Sequence, residues 1–274
     1  MKILVARIIG NDLTPRHGQG AQFAALRYIV ENEEVPASVD RLFVINRIKN
    51  KEAEREIIAY LEDRGEKYWQ FLQQDAVVCG DGIEINHTRN NIIQYGREQF
   101  YHWTFPLDGR CFITDQAYKE MRAQCAAYAE RHYAFMPQSR ILDYEDVHAD
   151  LRKNPYAFSE KTPSGAIIRN EYGLGFSIHA KAFFNPELKF GCADKAEMLS
   201  VAGLPGPWIN MTEAEGAKGS PVRLEVAEEE FQRHHPAQYS GYLLVLPSGN
   251  READASTAAR LEARAEALAK FQNS

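Results

Sequence analysis

The first 115 residues alternate continuous apolar runs with segments of helical periodicity. The run "KILVARIIG" is rich in β-branched residues and is typical of a strand buried on both faces. Similar strands are predicted at "RLFVIN", "KYWQFL" and "HWTFPLD". Between them, apolar residues fall on one face of three amphipathic segments, "GAQFAALRYIVENEE", "KNKEAEREIIAYLEDRG" and "INHTRNNIIQYGREQF". This alternation predicts an α/β fold with a mostly parallel sheet flanked by helices.

The pattern is less regular after residue 115. Thr114 is predicted to cap a helix that runs to about Ala129, and the strand "HYAFMPQSRIL" contains Pro137, which favours an edge of the sheet. Residues 150–175 carry prolines and three glycines and are predicted to form a surface loop. A strand "GFSIHAKAFF", a helix "ADKAEMLSVAG" beginning near Asp194 and a C-terminal helix are predicted to follow.

Composition and charge exclude some classes of protein. Hydrophobic residues make up 45% and charged residues 26% of the 274, which is ordinary for a globular protein. The apolar part of "MKILVARIIGNDL" is too short for a membrane span, so we interpret it as a buried strand of a cytoplasmic protein. The four cysteines lack the spacing of a zinc site. The net charge of −6 argues against nucleic-acid binding over the whole surface.

Polar residues follow the predicted parallel strands at the points where these strands end. Gly10 and Asn11 follow the first strand, Asn46 and Arg47 follow the second, and Asp108 ends the fourth. Ligands of open parallel sheets bind outside the carboxyl ends of the strands. We therefore expect these five residues to contribute to one binding site.

The helix before the fourth strand carries a second polar group. Asn86, Arg89 and Asn90 are three or four residues apart and share a face, with a cap predicted near Asn86. A helix N-terminus with an arginine nearby is well suited to a phosphate. Asp108-Gly109 by itself also predicts a tight hairpin turn, and that geometry is compatible with a binding role.

This order of motifs resembles the GT-A class of nucleotide-sugar glycosyltransferases. The resemblance covers "VENEE" after the first helix, "RLFVIN" at the nucleoside position, "TRNNIIQYG" where the class often carries Ala-Arg-Asn, and a strand that closes on an acidic motif. It implies a GT-A-like, Rossmann-like sheet with an irregular α+β C-terminal part. Residues 1–115 would form the donor-binding half, residues 116–250 the acceptor-side and catalytic half, and residues 251–274 the C-terminal helix.

The acidic motif departs from the Asp-x-Asp that the class usually carries to bind a divalent metal. Here it reads Asp108-Gly109-Arg110. One carboxylate with phosphate oxygens and water is sufficient to hold Mn²⁺ or Mg²⁺, and the resemblance implies a C-terminal histidine, His234, as a further ligand. Alternatively, Arg110 neutralises the diphosphate itself and makes the metal dispensable. The resemblance also implies a carboxylate on a later helix as general base, for which Asp194 and Glu197 are the candidates.

The sequence therefore predicts a glycosyltransferase, hexosyl or pentosyl, with a UDP-linked donor favoured. Two alternatives are a sugar-nucleotide nucleotidyltransferase, to which "IIGNDLTPRHGQG" bears a loose likeness, and a non-catalytic nucleotide-binding module. The sequence leaves the acceptor open among polysaccharide, lipid-linked sugar, protein and hydroxymethylated nucleobase in DNA. It also leaves open the oligomeric state and whether the anomeric configuration is inverted or retained.

Overall fold

The computed structural model describes residues 1–10, 21–46, 48, 50–71, 85–127, 129, 132–141, 143–148, 159–162, 165–180, 184 and 241–248. The strands are β1 Ile3–Gly10, β2 Val39–Asn46, β3 Tyr68–Phe71, β4 Trp103–Asp108, β5 Cys111–Phe112, β6 Tyr133–Arg140, β7 Ser159–Thr162, β8 Gly165–Ser177 and β9 Leu243–Val245. The helices are α1 Ala21–Asn32, α2 Lys51–Asp63, α3 Ile85–Glu98 and α4 Asp115–Ala127, with a 3₁₀ helix at Tyr144–His148. The predicted helices at 193–203 and 252–272 lie outside the described residues.

The strands form one sheet in the order β3-β2-β1-β4-β8-β6-β9-β5, with β7 paired to β8. β1 pairs in parallel with β2 and β4, and β2 pairs in parallel with β3. β8 is antiparallel to both β4 and β6, which makes the second half of the sheet mixed. The predicted α/β class, with a parallel first half and an irregular second half, is confirmed.

Helices cover both faces of the parallel half. On one face Val5, Phe43 and Phe105 join a core that includes Leu26 of α1 and Ile57 of α2. On the other face Ala6, Ile8 and Val44 pack with Ile92 of α3. Successive side chains of a strand point to opposite faces, so every residue of β1 is buried although only alternate ones meet the same helix.

The helix ends follow local sequence signals. Asn50 caps α2 by accepting hydrogen bonds from the backbone N–H groups of Glu52 and Ala53, and α2 ends before Gly65, which has φ +67°. Thr114 Oγ1 accepts a bond from Ala117 N at 3.2 Å, as predicted for the cap of α4. Within the described part of the chain, no helix is long and apolar enough to cross a membrane.

Two predictions for the second half of the sheet are wrong. Residues 150–175 were predicted as a loop, yet β7 and most of β8 lie there. The predicted strand 175–184 in fact begins at Gly165 and ends at Ser177. Two of the glycines that suggested a loop, Gly173 and Gly175, are packing residues: a Cβ added to Gly175 would lie 2.2 Å from Cε1 of Phe105.

Pro137 was predicted to place its strand at an edge, but β6 lies between β8 and β9. The proline is tolerated because the ladder with β9 begins only at Gln138, one residue later.

The predicted Asp108-Gly109 hairpin is also wrong. A turn does follow Asp108, but β5 pairs with β9 and β4 pairs with β1 and β8. Because β1 and β8 pair with the two sides of β4, β5 cannot pair with β4. Gly109 allows the chain to pass close to β1 instead, because an added Cβ would lie 2.6 Å from the carbonyl oxygen of Ile8.

Candidate functional site

The carboxyl ends of β1, β2 and β4 lie side by side. The register pairs Gly10 with Asn46 and Ile8 with Asp108, so three of the residues predicted at strand ends share one edge of the sheet. α3 precedes β4 in the chain and begins at this same edge. Asn86, predicted as its cap, lies buried in its first turn.

An ion pair between α3 and β4 forms the centre of the site. Arg89 donates from one NH2 group to Oδ1 of Asp108 at 3.1 Å, and from the other to Oδ1 of Asn86 at 3.3 Å. The side chain of Arg89 is 6% exposed, whereas that of Asp108 is 47% exposed. The guanidinium is therefore held beneath the surface while the carboxylate reaches solvent, and an approaching ligand meets both charges.

Close packing of α3 on β4 determines this geometry. A Cβ added to Gly96 would lie 2.0 Å from Oγ1 of Thr104, so only glycine permits the observed approach of helix and strand. The contact lies two turns after Arg89 on α3. It places Arg89 at the height of Asp108, the last residue of β4.

Asn90 stabilises one wall of the site. Its amide donates to the carbonyl oxygen of Phe184 at 2.7 Å and accepts from the backbone N–H of Phe184 at 2.8 Å. The ring of Phe184 in turn has its centroid 5.1 Å from the guanidinium carbon of Arg89, a cation–π distance. Asn90 was predicted to bind ligand; in the structure its side chain fixes the residue that covers Arg89.

A hollow opens beside the ion pair, where the ladder between β4 and β8 ends. These strands pair only at Trp103–Ser177 and Thr104–Phe176, and beyond that point Pro106 has no N–H to donate. The hollow lies over Pro106 and Leu107, and its other lining residues are Arg89, Asp108, Gln138, Gly173, Leu174 and Phe184.

Four lining residues are not predictable from the sequence as site residues: Gln138, Gly173, Leu174 and Phe184. Gly173 and Leu174 were assigned to a loop, and Phe184 was placed in a strand that ends earlier. Gln138 follows the proline of a predicted strand, and no motif singles it out. Only the strand order, which places β8 and β6 next to β4, brings these residues to Asp108.

The ends of β1 and β2 present a polar group of their own. Asn46 is 1% exposed, and its Nδ2 has no hydrogen-bond partner among the residues that the structure describes. Gly10 packs against it, since an added Cβ would lie 2.1 Å from the carbonyl oxygen of Asn46. The backbone of Gly10 exchanges two hydrogen bonds with the Gln22 amide. Asn46 therefore has an N–H group available at this edge.

Arg110 occupies a different position from Arg89. It is buried, its NH1 donates to the carbonyl oxygen of Leu246 at 3.1 Å, and its own carbonyl accepts from Leu246 N at 2.9 Å. These bonds extend the pairing of β5 with β9. Among the residues that the structure describes, Arg89 supplies the guanidinium paired with Asp108.

The residues fit a divalent cation only together with phosphate oxygens. Asp108 supplies one carboxylate, and one of its oxygens already accepts a bond from Arg89. Within the described ranges, no three His, Cys, Asp or Glu side chains lie close enough together to hold a metal. Mg²⁺ and Mn²⁺ are commonly bound by one or two carboxylates with phosphates and water completing the shell. Asp108 matches that pattern when a diphosphate is present.

Five predicted site residues lie outside the described residues, and their roles stay predictions: Asn11, Arg47, Asp194, Glu197 and His234.

No protein-family model matches the chain, and no curated protein matches its sequence. Among solved structures, TarS 1–349 from S. aureus aligns at 11% identity and a TM-score of 0.44, over 74% of this chain and 56% of that one. The chain thus spans about half the length of that protein.

A mannosyltransferase, PcManGT from Pyrobaculum calidifontis in complex with GDP-Man and Mn²⁺, aligns at 10% identity and a TM-score of 0.38, over 99% of this chain and 79% of that one. A cytidylyltransferase from Leptospira borgpetersenii aligns at 9% identity and a TM-score of 0.39, over 90% and 76%. All three TM-scores lie below 0.5, so the fold assignment depends on the sheet order described above and the site depends on its own contacts.

Proposed function

We propose that this chain is a glycosyltransferase that takes a sugar from a nucleotide-sugar donor, with the donor diphosphate over the end of β4. The observation that carries the proposal is the Arg89–Asp108 pair at the carboxyl edge of a parallel sheet, beside a hollow. A buried guanidinium binds phosphate oxygens strongly because few water molecules compete for its N–H groups.

The neighbouring strand ends provide room for the nucleoside. β2 lies two strand spacings from β4, about 10 Å away. In this proposal the Nδ2 of Asn46 donates to the nucleoside of a UDP-linked donor, and Gly10 lets the nucleotide approach the backbone. Asn11 and Arg47 complete this subsite as proposed contacts.

Charge stabilisation is the main chemical requirement. As the bond between the anomeric carbon and the diphosphate oxygen breaks, negative charge builds on that oxygen, and Arg89 lowers its energy. A divalent metal, Mn²⁺ or Mg²⁺, would supply further Lewis-acid stabilisation; Asp108 would hold it, with His234 as a proposed additional ligand. Asp194 or Glu197 is proposed to accept the proton of the acceptor hydroxyl.

The proposed division of the chain follows from these roles. Residues 1–115 supply the donor-binding half and residues 116–250 the acceptor-side half, with residues 251–274 as a C-terminal helix. The transferred group, hexosyl or pentosyl, is to be determined by screening nucleotide sugars.

Titration calorimetry with UDP and Mn²⁺ tests the proposal. We expect Asp108→Asn and Arg89→Gln each to weaken UDP binding about tenfold or more, because each removes a charge-assisted contact. Asp115→Asn is the matched control, since Asp115 is an exposed carboxylate paired with Lys119 on α4. Unchanged UDP binding in both site variants would contradict the proposal. Donor hydrolysis that releases sugar and no pyrophosphate would separate it from nucleotidyl transfer.

A further inference from the structure

We propose that Gln138 contacts the substrate: its side-chain amide hydrogen-bonds a hydroxyl group of the transferred sugar in the hollow beside the Arg89–Asp108 pair. This inference rests on the proposed function and deepens it, since it names the residue that recognises the sugar. It is carried by the position of the amide, by its lack of a protein partner and by the chemistry of the surrounding side chains.

Gln138 lies in the middle of the sheet, at the back of the hollow. Its backbone pairs with Glu171 of β8 and with Leu243 of β9, so the side chain starts from a rigid position. The residue is 4% exposed and lines the hollow together with Asp108 and Gly173. A Cβ added to Gly173 would lie 3.7 Å from the Nε2 of Gln138, which places the amide end beside that glycine.

The amide of Gln138 makes no side-chain hydrogen bond to any residue in the part of the chain that the structure describes. In the described part of the chain, the amide atoms of Gln138 are not among the fully enclosed polar atoms that lack a partner, so they reach the open space of the hollow. The neighbouring Leu107 and Leu174 are apolar and offer the amide no partner. The amide is therefore available to a polar group that enters the hollow.

The surroundings match a sugar hydroxyl group better than a phosphate. An amide both donates and accepts hydrogen bonds, which suits a neutral hydroxyl group. Leu174 and Phe184 are buried beside the amide and offer it no hydrogen bond from their side chains. The charged pair Arg89–Asp108 lies at one side of the same hollow, where the diphosphate is proposed to lie. A sugar attached to that diphosphate would therefore reach Gln138.

The hollow has room for about one water-sized group, which suits a single hydroxyl group of the sugar rather than its ring. Two features of the neighbouring strands keep this space open: the β4–β8 ladder ends at Thr104–Phe176, and position 173 carries no side chain. A Cβ at Gly173 would lie 2.5 Å from Leu243 Cδ1 and 3.0 Å from Leu107 Cδ2, and so would crowd the floor next to the amide.

The test compares Gln138→Leu with the wild type and with Gln94→Leu, the same change at an exposed position of α3. UDP-glucose, UDP-galactose, UDP-N-acetylglucosamine and UDP-xylose are first ranked by the thermal stabilisation they give the wild type. The most stabilising one and UDP alone are then titrated calorimetrically. We expect Gln138→Leu to lose about fivefold to tenfold in affinity for the UDP-sugar, with UDP affinity changed less than about twofold.

A thermal melt without ligand accompanies the titrations. Gln138→Leu is expected to melt at or above the wild-type temperature, because the substitution breaks no hydrogen bond to the described part of the protein. A marked fall would show that the amide is part of the fold and would overturn the inference, as would unchanged affinity for the sugar or equal losses for UDP and UDP-sugar. Gln138→Asn, which shortens the side chain and keeps the amide, is expected to lose affinity without any gain in melting temperature. Failure of the wild type to bind UDP or any UDP-sugar would overturn the proposed function itself.

Discussion

At the scale of single residues, Arg7 on β1 is a buried charge outside the site that needs a counter-charge. Its side chain is wholly buried, and it donates to Glu33 and, from Nε, to the carbonyl oxygen of Cys111 at 2.6 Å. Glu33 also accepts from Tyr118 Oη at 2.8 Å and from Ile113 N at 2.9 Å. Burial by itself lowers the pKa of Arg7. The charge of Glu33 and the contact with Tyr118 together raise this pKa by more than burial lowers it, so the net shift is upward.

This buried pair predicts a large effect of removing one partner. Glu33→Gln leaves the Arg7 guanidinium buried without a counter-charge, and we expect it to lower the free energy of unfolding by about 3–5 kcal/mol. Urea denaturation followed by circular dichroism measures the difference. Glu34→Gln, at the exposed neighbouring position, is the control and should change the stability by less than about 0.5 kcal/mol. Equal stabilities of the two variants would contradict the expected dependence on Glu33.

Reasoning from the sequence placed single residues near one another where a residue type has one local use, and the binding roles of these residues stay predictions. Asp108, Arg89 and Asn46 were predicted because they end a strand or share a helix face near one. Gln138 was not predicted, because it lies on β6, and β8 separates that strand from β4 and Asp108 in the sheet. Asn90 was predicted to bind ligand, and the structure shows that its amide bonds are made with Phe184.

At the scale of elements, the contact between α3 and β4 predicts a coupled effect on stability and binding. Gly96→Ala places a methyl group against Thr104, and we expect it to cost about 1–3 kcal/mol of folding free energy and to weaken UDP binding by moving Arg89. Gln94→Ala, on the exposed face of the same helix, is the control. Adding Thr104→Ala to Gly96→Ala should restore part of both losses, because the two side chains meet. Full independence of the two substitutions would argue against this contact.

The strands and helices of the first half were predictable because each has a clear local pattern. The strands are continuous β-branched runs, and the helices carry apolar residues on one face. β7 and β8 were not, because Gly173 and Gly175 are loop signals in isolation. In the fold they allow Phe105, Leu107 and Leu243 to pack against the strand. Such a requirement exists only once β4 and β8 are neighbours.

At the scale of the whole molecule, stability is expected to fall at high pH through buried tyrosines. Tyr101 donates to Oδ2 of Asp40 at 2.6 Å. Burial and this hydrogen bond raise the pKa of Tyr101 well above its usual value, and the same bond from Tyr101 is the largest cause that lowers the pKa of Asp40. The unfolded chain loses the Tyr101 proton near pH 10, while the folded chain keeps it to higher pH. The stabilisation is therefore complete below about pH 10 and is lost as the pH rises above that value.

Tyr101→Phe tests this pH dependence. The variant should be less stable than the wild type at neutral pH, because the hydrogen bond to Asp40 is gone, and its stability should decline less steeply above about pH 10. Urea midpoints measured from pH 7 to alkaline pH give both quantities. A tyrosine that is less buried, Tyr95, provides the control substitution Tyr95→Phe. Parallel curves for Tyr101→Phe and the wild type would exclude Tyr101 as a source of the alkaline loss.

The short ladder between β4 and β8 has a consequence for how the molecule responds to its ligand. These two residue pairs form a weak seam between the parallel strands, which carry Asp108 and Asn46, and the mixed strands, which carry Gln138. Arg89, on α3, lies on the parallel side of the seam. A ligand that contacts residues on both sides of this seam would hold the parallel and mixed parts of the sheet together. Its binding should then appear as slower amide hydrogen exchange along the seam, in backbone groups that the ligand itself never contacts.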